Sequence, residues 1–517
     1  MSMLSRKEFM RSFGTASVAL PLSAVAAQAG IAVADESEIS WDMEADIVVV
    51  GFGAAGTGAA VSAAEAGASV ILLEKMDPDQ AGGALSCFGG GFLTQSAELL
   101  KYSSYYTWSD ERAENTANKA LGWSKRAENL DFEKTSINFG SGDMLMSVYG
   151  GAAVHPKIVE YVTNTPGISI EYETPATGLI QDGTGKVIGV RAQKNGTEII
   201  VHALKGVVLT SGGYEANKDL FHSLNHPALA YAPMAGPART GDGMLMAIEI
   251  GAQPANLAQN VEWHTFACRK ASEELGTGVV MMNPSYTGTL IVNAKGKRFM
   301  NETGSITHNK RQPEFLDFYG PFAVNPNHET NGYENLPMWG IWDSAAIAEG
   351  RLGGSTITET WALAHGFTWS EDNQAEVEKG WLLKADTLEE LATLMVSTNT
   401  WGDTVQVDAA ALEETISRYN ELAEAGEDTD FGRLSSSLYR VAEPPFYACE
   451  LIPSIIYTMN SLLTDDNSRV LDTHNNPIEG LYAAGDIAQG TVYVVIGVPG
   501  SMAQGQIAVE HALGISA

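Results

Sequence analysis

The sequence predicts an α/β fold, and two adjacent segments carry most of this prediction. Residues 46–50, Asp-Ile-Val-Val-Val, are typical of a buried parallel strand because they are apolar and rich in β-branched side chains. They lead into the turn Gly51-x-Gly53-x-x-Gly56, and an alanine-rich segment that favours a closely packed helix follows. A strand, a glycine turn and a helix in this order are typical of a Rossmann-like unit.

Each glycine of this turn has a separate expected role. Gly51 permits the turn, Gly53 lets a pyrophosphate approach the backbone, and Gly56 allows the helix to pack closely on the strand. Ala54 and Ala55 begin the helix, whose free N–H groups and positive dipole end favour phosphate. A glycine pattern alone is weak evidence, so the segment that follows the helix matters.

A second strand completes the unit. Residues 69–73, Ser-Val-Ile-Leu-Leu, are again apolar and end at Glu74 and Lys75. An acidic residue about 20 residues after the turn is placed to meet the 2′-hydroxyl of a ribose. We therefore predict that this stretch binds an adenine dinucleotide; the alternative is a glycine turn with a purely structural role.

Composition limits the class of protein. The chain has 517 residues, so two or more domains are expected. A net charge of −32 argues against nucleic acid, because neutralising phosphates requires clustered Lys and Arg. An acidic surface keeps a protein soluble, and it would also steer a basic electron-transfer partner. The three cysteines, Cys87, Cys268 and Cys449, are far apart, which argues against c-type haem and iron–sulfur centres; no metal site is predicted.

Residues 1–34 are expected to be an export signal that does not belong to the fold. Ser5-Arg6-Lys7 begins a segment that resembles a twin-arginine signal with Lys in place of the second Arg, and a modestly apolar run follows. The alternative is a disordered basic leader. We predict a periplasmic or cell-surface protein that is exported folded and has no stable membrane insertion.

Further elements follow from glycine clusters and periodicity. Residues 82–92 are glycine-rich and apolar, which indicates backbone pressed against a flat or charged group; the alternative is a flexible linker. Asp242, at the start of a helix over 244–250, would also fit as its cap. Other predicted helices span 96–130, 155–166, 408–426 and 501–513, and predicted strands span 168–172, 178–183, 187–190, 198–201 and 206–210.

Six short motifs occur along the chain: GFGAAG, GGALSCFGGGF, VVLTSGGY, ARTGDG, TLIVNAKGKRFMNE and GLYAAGD. In this order they resemble the soluble fumarate reductases, a family that includes succinate dehydrogenase flavoproteins and 3-ketosteroid dehydrogenases. The resemblance implies a Rossmann-like FAD-binding domain with an inserted α+β capping domain. The implied boundaries are 45–260 and 441–517 for the FAD-binding domain and 261–440 for the capping domain.

The resemblance implies FAD as the cofactor and assigns residues to it. The glycine turn would hold the pyrophosphate, Glu74 the adenosine ribose and Asp486 the ribityl chain. Ser501 and Met502 would face the pyrimidine end of the flavin from the N-terminus of the last helix, where N–H donors stabilise reduced flavin. The other implied cofactor residues are Lys75, Ala84, Leu85, Gly89, Gly90, Ala176, Gly212, Gly213, Asp242 and Gly485.

The departures from the family lie on the substrate side. The resemblance implies a proton-donating Arg seven residues before Asn293, and Tyr286 occupies that position. A second substrate Arg corresponds to about Ile496, and a carboxylate-binding His corresponds to Tyr457. His264 is kept, although it would also fit as a satisfied histidine of the capping domain.

Without these arginines, the pocket lacks the bidentate cations that a dicarboxylate needs, so fumarate and succinate are not expected as substrates. Tyrosine instead offers an apolar face and a hydroxyl donor. Tyr286 would also fit as a core or loop aromatic. In the sequence pattern Tyr493 lies near the same substrate-facing side of the pocket, and its alignment with the family motif is left open.

We therefore expect an FAD-dependent oxidoreductase that moves a hydride between flavin N5 and an activated C=C bond of an enone, an aromatic acrylate or a similar small molecule, in anaerobic respiration. Tyr286 would donate the proton, because a tyrosine with the ordinary pKa of about 10 is protonated at neutral pH. Tyr457 or His264 would polarise the conjugated group. A separate donor, a cytochrome c or an FMN protein, would supply electrons. The alternatives are a 3-ketosteroid-type dehydrogenase running in the oxidative direction and an electron-transfer subunit without a substrate site.

Overall fold

A computed structural model describes most of the chain from residue 39 onward. The described ranges are 39–87, 91–92, 96–102, 108–138, 143–147, 150–224, 230–234, 236–255, 261–281, 288–303, 326–327, 332–333, 335–353, 367–399, 402–459, 461–488 and 497–515. Within these ranges the protein is a mixed α/β structure. Strands and helices are numbered below in chain order.

The first sheet contains the predicted dinucleotide-binding unit. β1 pairs in parallel with β2 and β9, and β6 and β21 extend the parallel set on either side. The strand order is β20-β21-β9-β1-β2-β6, with β7 and β8 joined to β9. The bounds are β1 Met43–Val50, β2 Val70–Leu73, β6 Ile168–Glu171, β7 Ala176–Gln181, β8 Val187–Lys194, β9 Thr197–Leu209, β20 Arg469–Leu471 and β21 Pro477–Ala483.

The second sheet is organised around one long strand, β19, which pairs with four others. β19 is antiparallel to β11, β15 and β16 and parallel to β10, and β12 completes the sheet beyond β15. The bounds are β10 Ala232–Pro233, β11 Val261–Cys268, β12 Leu290–Asn293, β15 Met338–Trp342, β16 Leu383–Ala385 and β19 Phe446–Thr458. Smaller sheets contain β3 Gly91–Phe92, β4 Lys134–Asn138, β5 Asp143–Ser147, β13 Pro326–Asn327, β14 Gly332–Tyr333, β17 Val396–Thr398 and β18 Thr404–Gln406.

The described helices lie between these strands in the chain. Their bounds are α1 Ala54–Glu65, α2 Ala84–Cys87, α3 Ala97–Tyr102, α4 Asp110–Ala127, α5 Gly150–Thr163, α6 Lys218–Leu224, α7 Asp242–Glu249, α8 Arg269–Leu275, α9 Ser344–Ala348, α10 Gln374–Glu378, α11 Leu388–Leu394, α12 Ala409–Ala425 and α13 Gly497–Ala512. The predicted helix over 408–426 is confirmed as α12. Asp408 caps it by accepting a hydrogen bond from the Ala411 N–H, and Gly426 ends it in the left-handed conformation.

Both faces of β1 are buried, as expected for a parallel strand covered on two sides. Ile47 and Val49 pack on one face with α1, α5 and α13, and Val48 and Val50 pack on the other face. The apolar cluster that contains Val48 and Val50 continues into the second sheet, where it includes Ile291. The glycine turn after β1 therefore lies at the edge of a fully packed framework.

Helices α1 and α13 cross with their backbones in contact. A Cβ on Gly58 would lie 2.1 Å from the carbonyl oxygen of Met502, and a Cβ on Gly505 would lie 2.1 Å from that of Ala55. The small residues of α1 make this crossing possible, and the crossing fixes where the N-terminus of α1 lies.

The structure corrects several boundaries from the sequence. The strands expected at 198–201 and 206–210 are one strand, β9, because a bulge absorbs the exposed Leu204 and Lys205 without ending the pairing. The helix expected over 96–130 is two helices, α3 and α4. The helix expected over 155–166 is α5, which begins earlier, at Gly150.

The second sheet combines strands from different predicted domains. β19 lies in the second sheet, although the sequence placed residues 441–517 with the FAD-binding domain. β10 also pairs with β19, although it precedes the predicted boundary at residue 260. Apolar periodicity identifies strands, but it does not show which sheet a strand joins.

Candidate cofactor and active site

The glycine turn has the geometry that its spacing predicts. Gly51 has φ +108°, and a Cβ there would lie 2.8 Å from the carbonyl oxygen of Thr210. A Cβ on Gly56 would lie 2.1 Å from the carbonyl oxygen of Gly51. At Gly53, in contrast, the nearest atom to such a Cβ would be 3.9 Å away. The protein itself therefore requires glycine at 51 and 56, whereas the free space at Gly53 is left for a ligand.

The N-terminus of α1 is open to an anion. Gly53 is its N-cap residue and supplies no side-chain hydrogen bond, so the first N–H groups, including those of Ala54 and Ala55, are not capped by a side chain. This is the arrangement that a pyrophosphate would complete.

Glu74 lies at the end of β2, where the sequence places it. One carboxylate oxygen accepts the Phe52 N–H at 2.8 Å, and the other accepts the Met76 N–H at 2.8 Å. Burial raises the pKa of the Glu74 carboxyl, although these backbone N–H groups act in the opposite direction. The carboxylate is thus held directly beside the glycine turn, as a ribose ligand would be.

Lys75 and Asp242 form an ion pair with each other. Nζ of Lys75 lies 2.7 Å from Oδ2 of Asp242 and donates to Oγ1 of Thr240 at 2.6 Å. Asp242 does not cap α7, because Gly241 is the N-cap residue and makes no side-chain cap. Lys75, which directly follows Glu74, therefore connects the segment after β2 to Asp242 at the start of α7.

The glycine-rich segment after residue 81 is described only in part. Gly83 has φ +50° and open space where a Cβ would lie, and Ala84 and Leu85 begin α2. Gly89 and Gly90 lie outside the described residues, so their contact with the cofactor stays a prediction. Ala176 begins β7, close after Thr174, whose N–H donates to the Glu74 carbonyl.

A buried histidine supports this segment from α5. A Cβ on Gly82 would lie 2.4 Å from Nε2 of His155, which has no hydrogen-bond partner among the described residues. Burial lowers the pKa of His155 to about 4, so its ring is neutral at physiological pH.

A buried ion cluster, which the sequence reasoning missed, connects the first sheet to β19. It consists of Glu215, Arg239, Asp486 and Thr458. Arg239 donates to Glu215 and, at 2.9 Å, to Oδ2 of Asp486. Arg239 is 4% exposed and Glu215 is fully buried. Burial opposes the charge of the guanidinium, but the carboxylates of Glu215 and Asp486 outweigh this effect and raise the pKa of Arg239.

The predicted glycines at 212 and 213 make room for this cluster. A Cβ on Gly212 would lie 2.6 Å from Nη1 of Arg239, and one on Gly213 would lie 2.2 Å from Oγ1 of Thr458. A signal was present in the sequence: Arg239 belongs to the ARTGDG motif of the resemblance, and an arginine that becomes buried needs carboxylate partners.

Gly485 and Asp486 lie in a 3₁₀ turn directly after β21. Gln504 of α13 accepts the Gly485 N–H at 2.9 Å. The prediction that Ser501 and Met502 are at the N-terminus of the last helix is wrong, because α13 begins at Gly497 and both residues are buried in its second turn. Gly497, Pro499 and Gly500 are poor helix formers and concealed the true start of this helix.

Most of the residues that are predicted to contact the substrate lie outside the described residues. This applies to Tyr286 and Tyr493, and His264 is described only as a backbone position in β11. Tyr457 is described: it is 8% exposed, lies on β19 opposite Glu262, and directly precedes Thr458 of the ion cluster. Tyr457 is therefore the one predicted catalytic residue whose side chain the structure describes.

Two family models match the chain, and both are flavoprotein models. One, described as FAD binding domain, matches residues 142–495, and one described as FAD dependent oxidoreductase matches residues 46–205. The first match covers more than half of the chain, so the protein belongs to this FAD-binding family. FAD is therefore the cofactor, and the open space at Gly53, the uncapped α1 N-terminus and the fixed Glu74 carboxylate fit it.

Curated relatives and solved structures agree with this class. The chain is 28% identical to a vinyl phenol reductase from Lactiplantibacillus plantarum over 86% of this chain and 90% of that protein. It is 26% identical to a cytochrome-type fumarate reductase from Shewanella frigidimarina over 86% of this chain and 72% of that protein. A 3-ketosteroid Δ1-dehydrogenase from Sterolibacterium denitrificans shares the fold, with a TM-score of 0.71 at 20% identity over 92% of this chain and 100% of that one.

The protein is thus an FAD-dependent oxidoreductase whose homologues act on C=C bonds. No group of three or more His, Cys, Asp or Glu side chains that would hold a metal occurs in the described part of the chain. No helix among the described residues is long and apolar enough to cross a membrane.

Proposed function

We propose that this protein reduces an activated C=C bond of a small molecule that is not a dicarboxylate, such as an enone or an aromatic acrylate. The observation that carries the proposal is the burial of Tyr457, which lies at a position where the resemblance to the fumarate reductases implies a carboxylate-binding His. The similarity to a vinyl phenol reductase over most of both chains supports the same substrate class. A phenol packs against an aromatic ring and donates a hydrogen bond, whereas it cannot neutralise a carboxylate.

The proposed reaction needs one hydride and one proton for each double bond. FAD, held by the glycine turn and Glu74 and reduced by the separate electron donor, would supply the hydride for the carbon β to the activating group. Tyr286 donates a proton to the adjacent carbon, and Tyr457 or His264 donates a hydrogen bond to the activating oxygen. Tyr493 would lie near the same substrate-facing side of the pocket. We also propose that the second sheet, with β11 and β19, is the capping domain that excludes water from this site.

Turnover by the purified protein with reduced viologen under anaerobic conditions tests the proposal. The panel consists of aromatic vinyl and acrylate compounds, cyclic enones, a steroid enone and fumarate. Reduction of an aromatic or enone compound with little reduction of fumarate is expected. Preferred turnover of fumarate would contradict the proposal. Oxidation of a saturated ketosteroid as the only activity would favour the dehydrogenase alternative, and no turnover of any compound would favour an electron-transfer subunit.

Two tyrosine variants locate the proton donor. Tyr286→Phe should lower the rate by roughly 10²–10⁴ if its hydroxyl is the acid. Tyr457→Phe should also lower the rate, because the activating oxygen of the substrate would lose a hydrogen bond. Tyr439→Phe is the matched control, because Tyr439 is 43% exposed on the surface. A wild-type rate for Tyr286→Phe would remove Tyr286 from the mechanism.

We also propose that the protein is exported folded, through the twin-arginine-like segment, and is reduced outside the cytoplasm by a cytochrome c or an FMN protein. The segment Ser5-Arg6-Lys7 and the net charge of −32 support these two proposals. Replacing Arg6 and Lys7 by Gln should retain the protein in the cytoplasm. Reduction by a basic cytochrome should slow as salt is added, because screening weakens steering. Export without Arg6 and Lys7, or a salt-independent rate, would contradict the respective proposal.

A further inference from the structure

The buried ion cluster of Glu215, Arg239, Asp486 and Thr458 has more than a packing role. Its members come from four separate places in the chain: the segment after β9, the loop before α7, the turn after β21, and the end of β19. Two of these places belong to the first sheet and carry predicted cofactor residues, and one belongs to the second sheet. The cluster is therefore a direct polar link between the cofactor side and the strand that carries Tyr457.

Both carboxylate oxygens and the backbone carbonyl of Glu215 accept hydrogen bonds from other residues of the protein. Oε1 accepts from Nε of Arg239, and Oε2 accepts from the Thr458 N–H at 3.0 Å and from its hydroxyl at 2.9 Å. The Glu215 carbonyl accepts from the Tyr231 hydroxyl at 2.8 Å. Because both carboxylate oxygens are occupied and the residue is fully buried, Glu215 fixes the guanidinium and cannot reach a ligand.

Arg239 is fixed from several sides. Nε is held by Glu215, and Nη2 donates to the Thr458 carbonyl at 3.3 Å and to Asp486 at 2.9 Å. Nη1 lies against the Gly212 backbone, where any Cβ would meet it at 2.6 Å. A planar guanidinium held in this way presents Nη2 to Asp486 in one orientation only.

Asp486 differs from Glu215 because it keeps one oxygen open. Oδ2 accepts from Arg239, whereas Oδ1 accepts no hydrogen bond from the described residues. The side chain is 23% exposed, in contrast to the fully buried Glu215 side chain. It follows Gly485, whose N–H is held by Gln504, so the backbone at this turn is also fixed.

We propose that Arg239 is a positioning residue that orients the open Asp486 oxygen toward the hydroxyl groups of the FAD polyol chain. Glu215 holds Arg239 for this purpose, and Thr458 connects the same cluster to β19. This role of Arg239 determines how tightly FAD binds, and it does not depend on which substrate the protein reduces.

The affinity of the apoprotein for FAD, measured by quenching of flavin fluorescence, tests this role. Removing Arg239 alone would leave Glu215 as an unpaired buried charge, which destabilises the fold. The informative variant is therefore Glu215→Gln/Arg239→Gln, which removes both charges together. It should weaken FAD binding by about tenfold or more, as expected for the loss of a charge-assisted orienting contact.

Asp486→Asn provides the decisive comparison. If Arg239 acts through Asp486, adding Asp486→Asn to the double variant should weaken FAD binding no further than Asp486→Asn does alone. Effects that multiply would overturn the proposal, because they would mean that the two sites act independently. A wild-type FAD affinity for the double variant would overturn it as well.

Two further variants separate positioning from stability. Arg239→Lys keeps the positive charge but lacks the planar guanidinium group with its paired N–H donors. Its FAD affinity should therefore lie between that of the wild type and that of the double variant. If the double variant does not fold, Arg239→Lys tests the proposal by itself, and a wild-type FAD affinity for Arg239→Lys would then overturn the proposal.

Arg298→Gln/Glu302→Gln is the matched control, since Arg298 binds the fully buried Glu302 carboxylate at 2.9 and 2.7 Å in the second sheet region. It should lower thermal stability and leave FAD affinity unchanged, and a loss of affinity equal to that of the Arg239 pair would overturn the proposal.

Discussion

The Cα of Gly56 packs against the carbonyl oxygen of Gly51 so closely that a Cβ there would lie 2.1 Å from that oxygen. The same oxygen accepts a hydrogen bond from the Thr210 hydroxyl at 2.7 Å. The first turn of α1 is thereby joined to the ends of β1 and β9. At Gly53 the nearest atom of the described residues to such a Cβ would be 3.9 Å away, and we expect the pyrophosphate of FAD to use this space.

Gly53→Ala and Gly56→Ala should therefore fail in different ways. Gly56→Ala should destabilise the apoprotein, because its Cβ overlaps backbone that cannot move without breaking the turn. Gly53→Ala should leave the melting temperature of the apoprotein nearly unchanged but prevent close approach of the pyrophosphate, so the protein should purify without its yellow colour. Normal flavin content in Gly53→Ala would contradict the assignment of this space to FAD.

Glu74→Gln should weaken FAD binding and also lower the stability of the apoprotein. The carboxylate accepts the Phe52 and Met76 N–H groups, whereas the NH₂ group of glutamine would face one of these donors. A lost hydrogen bond to a charged group corresponds to about 1.5–3 kcal/mol of unfolding free energy. Urea unfolding of the apoprotein measures this loss, and titration with FAD measures the change in affinity. Glu65→Gln, at the exposed end of α1, is the control and should bind FAD like wild type.

His155 should make the protein less stable as the pH falls. Burial lowers its pKa to about 4, whereas an unfolded histidine titrates near 6.5, so between these values the unfolded state binds more protons. The stability from the neutral ring is full above pH 6.5 and is lost as the pH falls toward 4. Between pH 7 and pH 5 the loss should be about 2 kcal/mol.

Urea unfolding at the two pH values measures this contribution. His155→Gln, which cannot titrate, should lose about 2 kcal/mol less than wild type over the same interval. His474→Gln, at an exposed turn, should show the wild-type dependence. An unchanged pH dependence in His155→Gln would contradict a buried neutral ring at this position.

The structural features around the candidate site that the sequence predicts correctly are those that local chemistry decides. Gly51 and Gly56 are required by the turn itself, and Glu74 follows a fully buried apolar strand. The FAD-binding family is confirmed by the family model that matches residues 142–495.

The parts that the sequence does not give depend on distant segments. Glu215 and Arg239 pair across 24 residues, and Arg239 reaches Asp486 across 247, so no local pattern reports either contact. β19 joins the second sheet because its partners lie there, although its own sequence would suit either sheet. The start of α13 was missed because Gly497 and Pro499 are poor helix formers, and tertiary packing overrides their propensity.

Mixing reduced enzyme anaerobically with a single candidate substrate tests the central claim most directly. The visible absorbance of oxidised flavin should return on mixing with an aromatic vinyl or acrylate compound, with one equivalent of saturated product formed for each flavin reoxidised. Fumarate at the same concentration should leave the flavin reduced. Fast reoxidation by fumarate, or no reoxidation by any compound with an activated C=C bond, would contradict the account.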